Sequence, residues 1–316
     1  MRVLVTGGTG YLGTAIVRAL HARGHAVVTF ARRATSAQLP GAAIDGDVRD
    51  SVALRQAARG VDVIIHTAAL VSVWRARPEE FDHVNVGGLR AALDAARESG
   101  ARLIYTSSFL ALPPHGQDRP LEANDYQRTK VRALHAARRA AAEGAPLTIL
   151  FPGVVYGPGE TTEGNLVGRL VSDHLAGRLP GLIGADRIWS YAYIDDVAAA
   201  HVTAAERAGV SGEYMIGGEN ARQMQVFEHV RQLTARRLPR RIPFAAAMAA
   251  GAVEELRAQV TGRPPLLTRG VVKIFRHDWP LDSGRTIGEL SYHITPLRTG
   301  LECLLRQGQP SCNPLG

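Results

Sequence analysis

Apolar Val3, Leu4 and Val5 run into a glycine-rich turn, and beyond it Leu12, Ala15, Ile16, Ala19 and Leu20 recur at helical spacing through residues 11–23. A short continuous apolar run followed by a period of about 3.6 predicts a strand, a tight turn and a helix. The alternation continues: β-forming runs at 26–31, 42–44, 61–65, 102–106 and 147–151 are separated by helical patterns at 50–58, 78–99 and 125–142. In the 78–99 helix Phe81, Val84, Leu89 and Leu93 are inward candidates, and Asn85 is placed to reach back to the sheet. This rhythm predicts an α/β fold on a doubly wound parallel sheet, with ligands at the carboxyl ends of its strands.

Past Pro152 the rhythm changes. Residues 153–159 are rich in turn formers, 166–177 are helical, and a strand-like stretch at 189–194 precedes a helix that Asp195 or Asp196 can cap, running to about Arg207. The run at 213–216 is the last strand expected. Helical patterns at 226–237, 245–260 and 297–306 follow without strand alternation, which predicts a smaller, mostly helical lobe sharing one cleft with the sheet. The expected division is 1–155 for the first domain, with 189–217 returning to it, and 156–188 plus 218–316 for the second.

The turn TGGTGYLG at 6–13 carries chemistry. Gly7, Gly10 and Gly13 stand three apart, so backbone can turn sharply, approach a pyrophosphate and pack the new helix on its strand. The helix N-terminus adds free N–H groups and a partial positive charge. Just past the second strand, where the adenosine ribose of a dinucleotide is met, Ala31 is followed by Arg32 and Arg33 with no acid nearby. Arginine there favours the 2′-phosphate of NADP over the 2′-hydroxyl of NAD. Small residues after His66, Ala68 and Ala69 among them, let a cofactor lie over the end of the fourth strand.

Composition narrows the partners. The 316 residues are 46% apolar and 21% charged, a globular balance. The longest apolar run, 244–253, is ten residues and too short to cross a bilayer. With strand residues at the very start and no secretory signal before them, a soluble cytoplasmic protein with no membrane partner is expected. The net charge of +8 comes from scattered arginines without a dense basic block interleaved with aromatics, which predicts a basic surface and no nucleic-acid partner. Cys303 and Cys312 suggest neither a disulfide framework nor a metal site. Only two of the 37 basic residues are lysines, Lys130 and Lys273.

Lys130 follows Tyr126 by four residues at the start of an expected helix, so both point to one face. A cation about 4 Å from a phenol, at an effective dielectric of ~20, is worth roughly 4 kcal/mol. That is enough to lower a tyrosine's usual pKa near 10, so the pair can shuttle a proton at neutral pH.

Taken in order, TGGTGYLG at 6–13, Asp47-Val48, HTAAL at 66–70, Asn85-Val86, YTSS at 105–108, Tyr126-Gln-Arg-Thr-Lys130, PGVVYGPG at 152–159 and Tyr193-Ile-Asp-Asp196 resemble the extended short-chain dehydrogenase/reductase family. Trp279-Pro-Leu-Asp-Ser283 and Leu290-Ser-Tyr292 look like the tail of its dihydroflavonol-reductase-like branch. The resemblance implies a Rossmann domain binding NADP(H). It implies a catalytic set of Ser108, Tyr126 and Lys130: Tyr126 as proton donor, Lys130 as ribose clamp and pKa depressant, and Ser108, last of its serine run, polarising a carbonyl. By the same resemblance Gly7, Gly10, Tyr11, Leu12, Gly13, Arg32, Asp47, Val48, Ala68, Ala69, Lys130, Pro152 and Val155 would surround the cofactor, with 152–155 beside the nicotinamide. The protein would be a monomer or a homodimer.

Two departures shape the substrate. Ser108 and Tyr126 are only 18 positions apart, fewer than the branch commonly has. Trp189 stands where enzymes of nucleotide sugars tend to carry a basic residue for the diphosphate. The first means that the substrate specificity of the plant reductases does not carry over; the second tilts toward an apolar or aromatic carbonyl, with Val71, Val73, Trp74 and Trp189 lining its pocket. The expected activity is NADP(H)-dependent reduction of a ketone or aldehyde, reversible as alcohol dehydrogenation. A sugar-nucleotide epimerase or dehydratase with bound NAD(P), and a non-catalytic NADP-sensing protein, are the alternatives.

Overall fold

A computed structural model describes residues 1–160 and 162–306; Cys312 lies outside the described residues. The first half runs β1 (Arg2–Thr6), α1 (Tyr11–Ala22), β2 (Ala26–Ala31), β3 (Ala42–Asp45), α2 (Ser51–Ala57), β4 (Val63–His66), α3 (Glu79–Phe81), a π-helical turn Asp82–Gly87, α4 (Gly88–Ser99), β5 (Arg102–Thr106), α5 (Asp125–Ala142) and β6 (Leu147–Pro152). The second runs β7 (Val154–Tyr156), α6 (Leu166–Leu175), β8 (Leu182–Ile183), β9 (Ile188–Tyr193), α7 (Ile194–Glu206), β10 (Gly212–Ile216), β11 (Glu219–Arg222), α8 (Gln223–Thr234), β12 (Arg241–Ile242), α9 (Phe244–Thr261), α10 (Arg269–Phe275), α11 (Gly284–Leu290) and α12 (Leu297–Leu305).

Seven strands form one sheet in the order β10-β6-β5-β4-β1-β2-β3, every pair parallel. Strand period decides which helices cover which face. Leu4, Phe30, Ile64, Leu103, Tyr105 and Ile149 point to one side, into a core shared with α2, α4 and α5. Val3, Val5, Val63, Ile65, Ile104 and Leu150 point to the other, against α1 and α7. The strand order reverses between β1 and β4, which opens the crevice where ligands of such sheets bind.

The second half is less regular than the pattern predicted. The turn-rich 153–159 stretch contains a strand, β7, which pairs with β9, and β11 closes that small sheet on the far side of β9. Of the 189–217 segment, α7 and β10 lie with the large sheet and β9 with the small one. The run at 213–216 is not the last strand, because β11 and the two-residue β12, paired with β8, come later. Strands of two to four residues and the short helices α10 and α11 are too brief to show a period. Aromatic side chains fill this lobe: Phe109, Trp189, Tyr191 and Trp279 belong to one buried cluster.

Neither aspartate caps α7. Its cap position is Tyr193, which makes no side-chain cap bond. Asp196 turns instead to the C-terminal segment, where its carboxylate accepts from Thr295 N at 2.7 Å and Thr295 Oγ1 at 3.0 Å. Replacing it leaves two buried donors unmet, so Asp196→Ala is expected to lower the unfolding free energy by about 1–3 kcal/mol. Thermal or urea unfolding checks this; an unchanged midpoint would show that the staple carries no stability.

Candidate active site

The glycine turn is shaped by what it touches. Gly7 has φ +70° and its N–H donates to Phe30 O at 2.9 Å; a Cβ there would stand 2.7 Å from Ala68 Cα. A Cβ on Gly13 would stand 2.2 Å from Gly7 O. The turn is therefore compressed between the end of β4 and the first turn of α1. Gly10 is the N-cap of α1 and no side chain caps the helix, so its first N–H groups stay free for an anion. A cradle this tight, with an uncapped helix behind it, fits a dinucleotide pyrophosphate. The Tyr11 hydroxyl donates to Gly157 O at 3.0 Å and ties the cradle to the 157–160 loop, while Leu12 is half-buried beneath it.

Around the cradle, Ala68 and Ala69 are half-buried, Val155 is half-buried and Pro152 is buried at the end of β6. Val48 is buried, and a Cβ on Gly88 of α4 would come within 2.9 Å of its side chain. Asp47 accepts from Arg49 Nε at 2.9 Å and Nη2 at 2.7 Å. That pair, with a smaller contribution from Arg32, holds its carboxyl below the usual range. Arg32 and Arg33 are exposed just past β2. The absence of a nearby acid does not hold in space: the parallel register sets Asp45 of β3 opposite Ala31. Its carboxylate is occupied, accepting from Thr35 N at 2.9 Å and Thr35 Oγ1 at 2.7 Å.

Ser108, Tyr126 and Lys130 meet at the end of β5. Lys130 Nζ donates to Thr106 O at 3.1 Å and stands 5.4 Å from the Tyr105 ring centroid. The Ser108 hydroxyl, which also accepts from Leu110 N at 3.2 Å, lies against the Tyr126 phenol. The electrostatics correct the expectation for this pair. Burial pushes the Tyr126 phenol up, and its hydrogen bonding with Ser108 only partly offsets this. Burial pushes the Lys130 ammonium down to about 8. Desolvation outweighs the expected Coulombic lowering, because the lysine reaches the Thr106 carbonyl and both groups lie in a low-dielectric pocket.

A second set of polar residues holds these three in place. The π-helical turn carries Asn85, whose Oδ1 accepts from Leu70 N at 2.7 Å and whose Nδ2 donates to Thr129 Oγ1 at 2.9 Å. It thereby ties the loop after β4 to the residue before Lys130. Gln127, fully buried, donates from Nε2 to Leu110 O at 3.1 Å and accepts at Oε1 from Ala123 N at 2.8 Å. It braces the turn after Ser108 against the lead-in to Tyr126. The sequence signal for Gln127 was a polar side chain inside the Tyr-to-Lys interval, but only the fold shows it facing inward. Below Thr106, His201 Nδ1 donates to Val197 O at 2.7 Å, so Nε2 accepts from Thr106 Oγ1 at 2.9 Å. Burial lowers His201 to about 4 and keeps it neutral.

The expected pocket residues separate. Trp189 is 3% exposed in the core of the second lobe: its Nε1 donates to His277 O at 3.1 Å and its ring packs on Phe109 and Phe275. It borders a small, mostly apolar cavity with Val154, Leu166, Tyr191 and Phe227, and its ring meets Phe109, the residue after Ser108. Strand period turns it into the aromatic cluster. Val71 and Val73 are exposed and Trp74 is half-buried on the loop after β4. Ser72 fastens that loop, donating to Trp74 O at 3.0 Å and to Glu163 Oε1 at 3.2 Å.

Known proteins are similar over most of this length. The model of the NAD dependent epimerase/dehydratase family matches residues 3–217. Sterol demethylase protein B of Methylococcus capsulatus is 36% identical over 256 residues, 76% of each chain. The 2-alkyl-3-oxoalkanoate reductase of Stenotrophomonas maltophilia is 33% identical over 292 residues, 84% of this chain and 87% of that one. Among solved structures, gox2253 superposes with a TM-score of 0.79 at 28% identity, covering 96% of both chains.

Proposed function

The chain belongs to the NAD dependent epimerase/dehydratase family, and we propose that within it this protein is an NADP(H)-dependent reductase of an apolar ketone or aldehyde. The observation that carries this reading is the Ser108 hydroxyl set against the Tyr126 phenol, with Lys130 Nζ on the carbonyl of Thr106 two residues away. The reductase name of the Stenotrophomonas relative supports the same class, and so does its oxoalkanoate substrate.

When bound, NADPH supplies the hydride. Ser108 donates a hydrogen bond to the substrate oxygen, holding it beside Tyr126, and Tyr126 delivers the proton as negative charge develops there. A phenol raised by burial keeps its proton at neutral pH and gives it up only to a stronger base such as a nascent alkoxide, which suits reduction. Lys130 stabilises the phenolate left behind and holds the ribose hydroxyls. Gly7, Gly10 and Gly13 would seat the pyrophosphate, Pro152 to Val155 would flank the nicotinamide, and Arg32 with Arg33 would meet the 2′-phosphate.

With a panel of ketones, Tyr126→Phe is expected to lower kcat by about 10²–10⁴-fold while NADPH affinity stays within about threefold, as binding contacts untouched by the change require. A near-wild-type rate would remove Tyr126 from the chemistry. The second expectation concerns pH. In the free protein Lys130 titrates at about 8 and its protonated form is the useful one, so kcat/KM should be flat below that pH and fall above it. Lys130→Met should lose that limb; a profile unchanged by the substitution would contradict the assignment. Third, Arg32→Ala should weaken NADPH by about 10-fold or more, the worth of a charge-assisted contact, and leave NADH unaltered. Titration of both cofactors decides it, and an unchanged preference would sink the role of Arg32.

A further inference from the structure

The large apolar side chains most open to solvent among the described residues gather in one place. Val253, Leu256 and Val260 on α9 are 66%, 62% and 80% exposed, and Leu266 just beyond it is 89% exposed. Spacings of three and four put the first three on one helix face. Exposed Ala245 and Ala249 extend that stripe toward the start of α9. The opposite face, with Ala247, Gly251 and Ala258, is buried; a Cβ on Gly251 would lie 3.0 Å from Arg269 N of α10. The helix is thus already seated, and its apolar stripe points away from the protein.

Charge is as lopsided as hydrophobicity. Residues 236–276 hold nine of the 37 Lys and Arg but only two of the 29 Asp and Glu, so nine less two leaves +7 of the chain's +8 here. The two acids are neutralised locally, Glu254 by Arg257 and Glu255 by Arg269, each at 2.7 Å. Arg236, Arg237, Arg240, Arg263, Lys273 and Arg276 remain exposed. An apolar helix face carried on a stretch of net positive charge complements an anionic bilayer, where cations meet the headgroups and the apolar side chains enter the acyl boundary.

We propose that the outward face of α9, with Leu266, docks this protein on an anionic lipid bilayer. No described helix is long and apolar enough to cross a membrane, so the attachment lies in the interface plane. Such docking would replace the expectation of no membrane partner. A second copy of the chain fits the face poorly, because it would bring one strongly positive surface against another. The docking surface is also close to the site. A Cβ on Gly270 of α10 would come within 2.4 Å of Ala123 O, three residues before Tyr126, so α10 lies between the bilayer-facing helix and the catalytic helix. That a lipid carbonyl compound enters from this side rests on the reductase reading; the docking itself does not.

The test is co-sedimentation of the full chain with phosphatidylcholine vesicles prepared with and without phosphatidylserine. Binding should require phosphatidylserine and weaken as salt is raised. Leu256→Asp with Val260→Asp should reduce it by at least about tenfold, since one buried apolar side chain is worth that much, with the thermal midpoint unchanged. Arg240→Glu with Arg263→Glu should reduce it while leaving the apolar stripe intact. Binding to neither vesicle, equal binding to both, or binding untouched by the variants would overturn the proposal. So would self-association in sedimentation velocity that the α9 variants abolish, which would assign the face to a second copy. A protein that reduces a water-soluble ketone but binds no vesicle keeps the reductase reading and loses this one; vesicle binding without turnover does the reverse.

Discussion

The close approach of β1 to β4 is the constraint on which the rest depends. Two neighbouring parallel strands end together, and the chain leaving β1 must turn at Gly7 against the backbone of Ala68 with no room for a Cβ. That contact sets where α1 begins, and the second squeeze, Gly13 against Gly7 O, sets how closely the helix follows. An uncapped helix N-terminus is then aimed across the crevice where the strand order reverses. The exit of β5, the next strand over, delivers Ser108 and the Thr106 carbonyl to the same crevice.

From that fixed rim, hydrogen bonds carry order outward. Thr106 accepts from Lys130 through its carbonyl and donates to His201 through its hydroxyl, so one strand-end residue links α5 to α7 through the sheet. Asn85 links the loop after β4 to α5, and Gln127 links the turn after Ser108 to the approach of α5. These bonds are buried or half-buried, and a lost partner would leave an unmet polar group in a low dielectric, so the arrangement is held by the cost of its alternatives. The same low dielectric explains the tyrosine. The environment that makes these hydrogen bonds strong also disfavours a phenolate, and the phenol keeps its proton.

The second lobe follows another logic. Its core mixes aliphatic with aromatic side chains, and a chain of ring contacts runs from Phe109 beside the site through Trp189 to Phe275 at the end of α10. Its polar fixings, such as Asp196 to Thr295, tie the C-terminal segment to α7 against the large sheet.

By itself the sequence determined the strand-and-helix order through Phe151, the glycine cradle, and the residue types at 108, 126 and 130, because periods of two and 3.6 and the sterics of glycine are local properties. Tertiary structure alone decided the remainder. Parallel register brought Asp45 opposite Ala31 from fourteen residues away, strand direction put Trp189 into an aromatic core, and a contact across nearly a hundred residues took Asp196 away from its helix cap. It also decided the proton affinities of Tyr126 and Lys130, since spacing in sequence reports which charges are neighbours but not how much water has been removed from around them.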